Sequence, residues 1–210
     1  MKLKHNVVFI LFFLLTFNNT IFAQFSVGIQ GGLNSAILYL SNKAPEGTLY
    51  YREGFVVGTI INYEYDDMLN MRSEPRYIQK GERATLNLPG YKTDSKIYFN
   101  YIELPIYIVA EFTNTQLKPF LLGGINFGYL ISAKSESIIN NEEYTFDIKS
   151  DYENIDIAID LGMGIKYELD KTTSFLLSAR YSYGIFDITG RDGTVSTRGI
   201  QILFGILYKL

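Results

Sequence analysis

Residues 154–169 read NIDIAIDLGMGIKYEL. Ile155, Ile157, Ile159, Leu161, Met163, Ile165, Tyr167 and Leu169 take every second place. Asn154, Asp156, Ala158, Asp160, Gly162, Gly164, Lys166 and Glu168 fill the places between. A period of two gathers the apolar set on one face of an extended chain, whereas a helical period of 3.6 would scatter it around the axis. The stretch is a strand with one greasy face and one small or charged face.

Three more segments repeat this pattern. Ile200, Ile202, Phe204, Ile206, Tyr208 and Leu210 alternate with Gln201, Leu203, Gly205, Leu207 and Lys209. Phe175, Leu177, Ala179, Tyr181, Tyr183 and Ile185 oppose Leu176, Ser178, Arg180, Ser182 and Gly184. Ile102, Leu104, Ile106, Ile108, Ala110 and Phe112 oppose Tyr101, Glu103, Tyr107 and Glu111. Weaker alternation places strands near 25–34, 53–65, 68–80 and 117–133, which makes eight. The connections between them fall at 35–52, 66–67, 81–95, 113–116, 134–150, 170–171 and about 188–197, alternately long and short. Asp66-Asp67, Asn114-Thr115 and Asp170-Lys171 suit tight turns. Sorting of loops by parity predicts an all-β, eight-stranded antiparallel up-and-down barrel across a membrane, with short turns on one side and longer loops on the other.

Alternation alone leaves open which face looks outward. A soluble lipocalin-like barrel, also eight-stranded, would turn the apolar face inward. Three features favour apolar outside. The polar face is mostly small residues, suited to a crowded interior rather than to water. Aromatic pairs such as Phe55 and Tyr63, Tyr98 and Phe112, and Phe175 and Tyr183 bracket aliphatic middles. Eight residues at about 3.3 Å each, tilted by about 40°, climb roughly 20 Å, close to the apolar band of such barrels. The last strand also keeps its alternation through Leu210.

Residues 1–23 stand apart. Lys2, Lys4 and His5 precede an apolar run from Val7 to Phe17, then Asn18, Asn19, Thr20 and Ile21-Phe22-Ala23. That order predicts a secretory signal peptide cut between Ala23 and Gln24, leaving 24–210 as one outer-membrane barrel domain. The run is shorter than the roughly 20 residues of a spanning helix, which weighs against an anchor. Both mature termini are then expected on the periplasmic side of a bacterial outer membrane.

Composition narrows the function classes. The chain has no Cys, and its one His precedes the cleavage point, so thiolate or imidazole chemistry is not expected in the mature protein. Without Lys2 and Lys4 the 19 basic residues fall to 17 against 22 acidic, a net charge of −5, which argues against a nucleic-acid partner. We expect no enzyme activity, no catalytic residues, no cofactor and no metal. Asp147, Asp151, Glu153 and Asp156 form an acidic stretch without the spacing of a calcium loop, and are read as a solvated loop and strand start.

The polar parity carries Glu64, Arg72, Glu74, Arg76, Glu103, Glu111, Asp156, Asp160, Lys166 and Arg180. On an inner face these predict a structural cluster of ion pairs filling a lumen too narrow to conduct, because an unpaired buried charge is very costly. The alternative is a polar path for ions or a small solute. Pro75 and Pro105 each remove a ladder donor inside a strand and predict local bulges at similar heights, either as a kink in the wall or as a lateral opening. The longer loops carry mixed charge, among them Arg52, Lys96, Lys134, Glu136 and Arg198.

Several segments together resemble the outer-membrane β-barrel family typified by PorT, common in the Bacteroidetes group of bacteria. They are Gly31-Gly32-Leu33-Asn34, Ser73-Glu74-Pro75-Arg76-Tyr77-Ile78-Gln79-Lys80-Gly81, Tyr101-Ile102-Glu103-Leu104-Pro105-Ile106, Lys118-Pro119-Phe120-Leu121-Leu122-Gly123-Gly124, Gly162-Met163-Gly164 and Arg198-Gly199-Ile200-Gln201. The resemblance implies the fold and the location. It also implies an accessory role in protein secretion across the outer membrane, with no catalytic residues to carry over. The expected partners are outer-membrane lipid, the barrel-assembly machinery, and other secretion or envelope proteins met through the external loops.

Overall fold

The computed structural model describes residues 24–40, 48–88, 91–112, 115–139, 142–189 and 195–210. The proposed signal segment 1–23, the turn residue Asn114 and the middle of the 35–52 connection lie outside them. Ten strand segments form one antiparallel sheet: β1 (Phe25–Leu40), β2 (Thr48–Glu64), β3 (Leu69–Ser73), β4 (Arg76–Leu88), β5 (Tyr91–Glu111), β6 (Leu117–Ile139), β7 (Glu142–Asp147), β8 (Ile155–Glu168), β9 (Thr173–Gly184) and β10 (Val195–Lys209). Both β3 and β4 pair with β2 and β5, so they are two halves of one stave. Both β7 and β8 pair with β6, with a short 3-10 helix, Lys149–Asp151, between them. Pairing of β1 with β10 closes the ring, which therefore has eight staves.

The alternation falls as the sequence indicates. Along β8 and β10 the apolar parity is exposed, with Leu161 at 62 % and Phe204 at 66 %, while Asp160 and Gln201 on the other parity are at 0 % and 1 %. Exposed apolar side chains continue around the whole ring, from Ile29 and Leu33 to Ile106, Ile125, Ile159, Leu177 and Ile202. A surface of this kind needs lipid, since water-facing apolar patches rarely exceed a few hundred Å². The soluble alternative, with its apolar face inward, is excluded by this arrangement.

Short turns close one end. The Asp66 carboxylate accepts hydrogen bonds from the backbone N–H of Met68 and Leu69 at 2.8 and 2.7 Å. Asp170 does the same for Thr172 and Thr173, both at 2.8 Å. These are Asx-type turns, in which a short carboxylate stands in for a backbone acceptor.

At the other end the connections are less open than the sequence reading placed them. β1 continues to Leu40, β2 begins at Thr48, and β4 and β5 extend to Leu88 and from Tyr91. Most of 81–95, expected as a loop, is thus a hairpin. Likewise β6 runs on to Ile139 and pairs with β7 inside the expected 134–150 loop. Strands that rise beyond the apolar band meet water on both faces, so nothing forces their residues to alternate.

The two prolines meet across the wall. Ser73 pairs with Ile106 and Arg76 with Glu103, so both chains advance equally past Glu74-Pro75 and Leu104-Pro105. The expected bulges at Pro75 and Pro105 are therefore absent: the stave breaks into β3 and β4 without an inserted residue. The wall stays joined there, because Glu74 N–H donates to the Pro105 carbonyl at 3.2 Å and Thr59 N–H to that of Pro75 at 2.9 Å. The register shifts lie elsewhere, between Tyr51 and Val56 and at Asn100/Tyr101. Beside the first, Arg52 and Asn34 side chains donate to the Lys80 and Gln79 carbonyls. Gly81 has φ +145° there, and a Cβ on it would lie 1.9 Å from the Ile97 carbonyl oxygen.

Candidate functional site

The interior is built in layers, each supplied by the inward parity of several staves. At the turn-side mouth is a polar vestibule of about 320 Å³. Its rim holds Lys209–Glu64 and Lys118–Glu168 ion pairs at 2.5 and 2.7 Å. Slightly deeper, Lys166 meets Glu111 at 2.5 Å, and Asn70 donates to the same carboxylate at 2.9 Å.

An apolar layer follows: Ile60, Tyr107, Val109, Phe120, Leu122, Leu176 and Leu207. The Arg72 guanidinium stands 5.2 Å from the centre of the Phe120 ring and donates through Nε to Asn62 at 3.0 Å.

The middle of the lumen is a connected charge network. The Arg180 guanidinium grips both Glu74 carboxylate oxygens, and Gln30 donates to that carboxylate at 2.7 Å. Arg76 bridges Glu103 and Asp160 at 2.7 and 3.2 Å. The Tyr107 hydroxyl donates to Asp160 at 2.6 Å. Lys80 bridges Glu103 and Asp156 at 2.7 and 2.9 Å, and Thr197 donates to Asp156 at 2.9 Å. Arg76, Lys80 and Arg180 are thus paired with Glu74, Glu103, Asp156 and Asp160. Arg72 evens the count of charges from the layer below, its two terminal nitrogens without a hydrogen-bond partner among the described residues. All eight are buried. Arginine suits this task because its planar fork can pair with two oxygens at once, as Arg180 does with Glu74.

The loop-side end is closed by a second apolar layer: Leu38, Val56, Ile78, Phe99, Tyr101, Leu130, Ala133, Ile188 and Leu203. Ile188 reaches it from the β9–β10 connection. There the Asp187 carboxylate accepts hydrogen bonds from Thr189 N–H, the Thr189 hydroxyl and Val195 N–H at 3.1, 2.9 and 3.1 Å. That clasp turns Ile188 inward, where it is fully buried.

Of the charged residues singled out from sequence, Arg72, Glu74, Arg76, Glu103, Glu111, Asp156, Asp160, Lys166 and Arg180 are buried in the interior. Glu64 is instead at the mouth, its side chain 27 % exposed. Sequence reading missed Lys80, the cation that joins Glu103 to Asp156. It sits four residues after Arg76 on the same parity, which was the available signal. Gln30, Asn62, Asn70 and Tyr107 were missed as partners because they carry no charge. The acidic stretch is split: Asp156 is buried in the network, while Asp147 accepts from the Lys149 backbone N–H. No cluster suited to a metal ion occurs among the described residues.

A closed ring of eight staves, greasy outside and filled with matched charge inside, defines a transmembrane β-barrel of the outer-membrane kind. The chain belongs to the family described as outer membrane protein beta-barrel domain, which matches residues 18–190. Among solved structures it is similar to neisserial surface protein A, NspA, at 16 % identity and a TM-score of 0.53, covering 89 % of this chain and 97 % of that one. It is also similar to the outer membrane protein OprG from Pseudomonas aeruginosa, at 14 % identity and a TM-score of 0.51, covering 88 % and 95 %. At such identities these likenesses speak for the fold alone. No curated protein matches the chain.

Proposed function

We propose that this outer-membrane barrel is neither an enzyme nor a pore, and that it works from its external hairpins as a binding or structural element. A PorT-like accessory role in protein secretion is the subtype we favour. The observation that carries the proposal is the layered lumen: a network of buried ion pairs lies between two apolar layers. Eight-stranded interiors are wide enough only for their own side chains. Function is then left to the surfaces, and among the described residues the long β4–β5 and β6–β7 hairpins extend beyond the apolar band.

Two observations favour the PorT-like subtype. The segments 73–81 and 101–106, which carry the resemblance, face each other across the Pro75/Pro105 break. Together they supply Glu74, Arg76, Lys80 and Glu103, so the resemblance falls on the centre of the charge network. In this reading both mature termini and the short turns are periplasmic, and the barrel-assembly machinery inserts the chain after signal cleavage at Ala23.

Two measurements test it. Refolded protein in a planar bilayer should give no stable conductance step; a reproducible step would favour the solute-path alternative. Comparing the proteins exported by cells with and without the gene should reveal missing cargo, and an unchanged set would remove the secretion role.

A further inference from the structure

Cations on the two rims of the wall are treated differently. At the turn-side rim Lys118 and Lys209 each sit against a carboxylate. At the loop-side rim Arg198 lies between two tyrosines, its guanidinium 3.5 Å from the centre of the Tyr39 ring and 4.8 Å from that of Tyr183. Lys149 similarly lies 6.0 Å from the centre of the exposed Tyr129 ring. Among the described residues neither Arg198 nor Lys149 has a carboxylate partner. The Arg198 Nε is buried without a hydrogen-bond partner. Tyrosine faces hold these cations in place without neutralising them.

Directly below Arg198 the wall is hollowed. Arg198 pairs with Tyr183 across the β9–β10 ladder, and two residues on Ile200 pairs with Tyr181. The next outward position along a strand is about 7 Å away. Ile200 and Tyr181 form the upper edge of an apolar groove of about 780 Å³, whose walls include Ile108, Leu121, Leu161 and Met163. The groove exists because Gly123 and Ala179 put little or no side chain on the outer face. It crosses staves β10, β9, β8, β6 and β5, roughly 20 Å at the usual strand spacing. One leaflet contributes roughly 15 Å of hydrocarbon, so the groove accommodates the length of an acyl chain.

We propose that Arg198 and this groove form a binding site for an anionic membrane lipid, with its phosphate at Arg198 and an acyl chain laid over Gly123. The chemistry is complementary at both ends: a guanidinium without a carboxylate partner among the described residues at headgroup height, and a mainly apolar trough at chain height. The site needs only a barrel in a bilayer, so its failure would leave the closed-lumen reading untouched.

The test uses protein refolded in detergent containing equal phosphatidylglycerol and phosphatidylcholine, with retained lipid counted by native mass spectrometry. Wild type should keep phosphatidylglycerol over phosphatidylcholine by about fivefold, the factor one basic side chain supplies at an anionic lipid surface. Arg198→Gln should bring that ratio near one, and Arg198→Lys should preserve part of it. Gly123→Leu should lower retention of both lipids. A Cβ at Gly123 meets only the Leu161 methyl at 3.1 Å and the Asp160 carbonyl at 3.9 Å, so the barrel should tolerate it. A gel shift on boiling certifies that each variant is folded. Equal retention of the two lipids by wild type, or an unchanged ratio in Arg198→Gln, would overturn the headgroup contact. Undiminished retention in Gly123→Leu would overturn the groove. Displacement of lipid by inorganic phosphate alone would reduce the site to one for a bare anion and overturn the lipid assignment.

Discussion

Glu74 illustrates how much a single interior side chain carries. Its carboxylate is fully buried and is met by Arg180 and Gln30. Glu74→Ala leaves a guanidinium and an amide in the lumen without their carboxylate acceptor, a change worth about 3–5 kcal/mol. A large drop in the urea midpoint of refolded protein, followed by gel mobility, is expected. Replacing both partners, as Glu74→Leu with Arg180→Met, should recover most of that loss, because no charge is then stranded. Glu64→Gln at the exposed mouth should change stability by less than about 1 kcal/mol. Glu82 behaves differently. It lies where β4 rises beyond the apolar band, buried, with one carboxylate oxygen lacking a partner. Desolvation pushes its carboxyl up to about 7, against a backbone hydrogen bond from Leu38 that lowers it. A raised carboxyl favours the folded state below its ordinary titration range, near 4.5, and loses that advantage as pH climbs to 7. Stability should therefore fall between pH 4.5 and 7 in wild type, and Glu82→Gln should flatten that slope in urea titrations across the same range. Parity was enough to read most of the buried charges from sequence. It could not identify partners, since Tyr107, Gln30 and Thr197 contribute hydrogen bonds rather than charge.

Legibility at the element scale followed the solvent. β8, β9 and β10 touch lipid on one face and packed side chains on the other, so their sequences alternate and their limits could be read within a few residues. The upper half of β4 does not: Arg83-Ala84-Thr85 shows no apolar period, although it pairs with Asp94-Ser95-Lys96. Val56 and Ile78 also break the rule, being apolar yet inward, because the loop-side layer of the lumen is itself apolar. Nothing local in the sequence distinguishes an apolar residue turned to lipid from one turned to a cap. The extended hairpin leads to a prediction. Thr85 and Asp94 are cross-strand partners, so an Asn-Gly turn joining them in place of residues 86–93 should preserve the ladder below. The trimmed barrel is expected to refold and keep its heat-dependent mobility. If the external hairpins carry the function, the same trimming should abolish cargo export in cells. A trimmed barrel that fails to fold would show instead that the tip belongs to the barrel's stability.

For the whole molecule, the layers act in series, and that decides how the lumen responds to damage. Water or an ion crossing the barrel must pass the Ile188-capped layer, the charge network and the layer around Phe120 and Leu207 in turn. Resistances in series add, so opening one leaves the others in place. Asp187→Ala removes the acceptor that holds Thr189 and Val195 and so should release Ile188 from the cap. The released segment should become more accessible to proteolysis or hydrogen exchange. Conductance should nevertheless stay at baseline, because Arg76, Lys80, Glu103, Asp156 and Asp160 still fill the middle and their pairing resists entry of a lone ion. Adding Lys80→Ser and Glu103→Ser to the same variant removes one cation and one carboxylate together. The network then stays neutral but loses side-chain volume, while the turn-side apolar layer remains. This triple variant should also be silent, and only further replacement of Phe120 and Leu207 by Ser should yield discrete steps in a planar bilayer. A step from Asp187→Ala alone would mean that the cap is the sole barrier and that the charge network is a hydrated path.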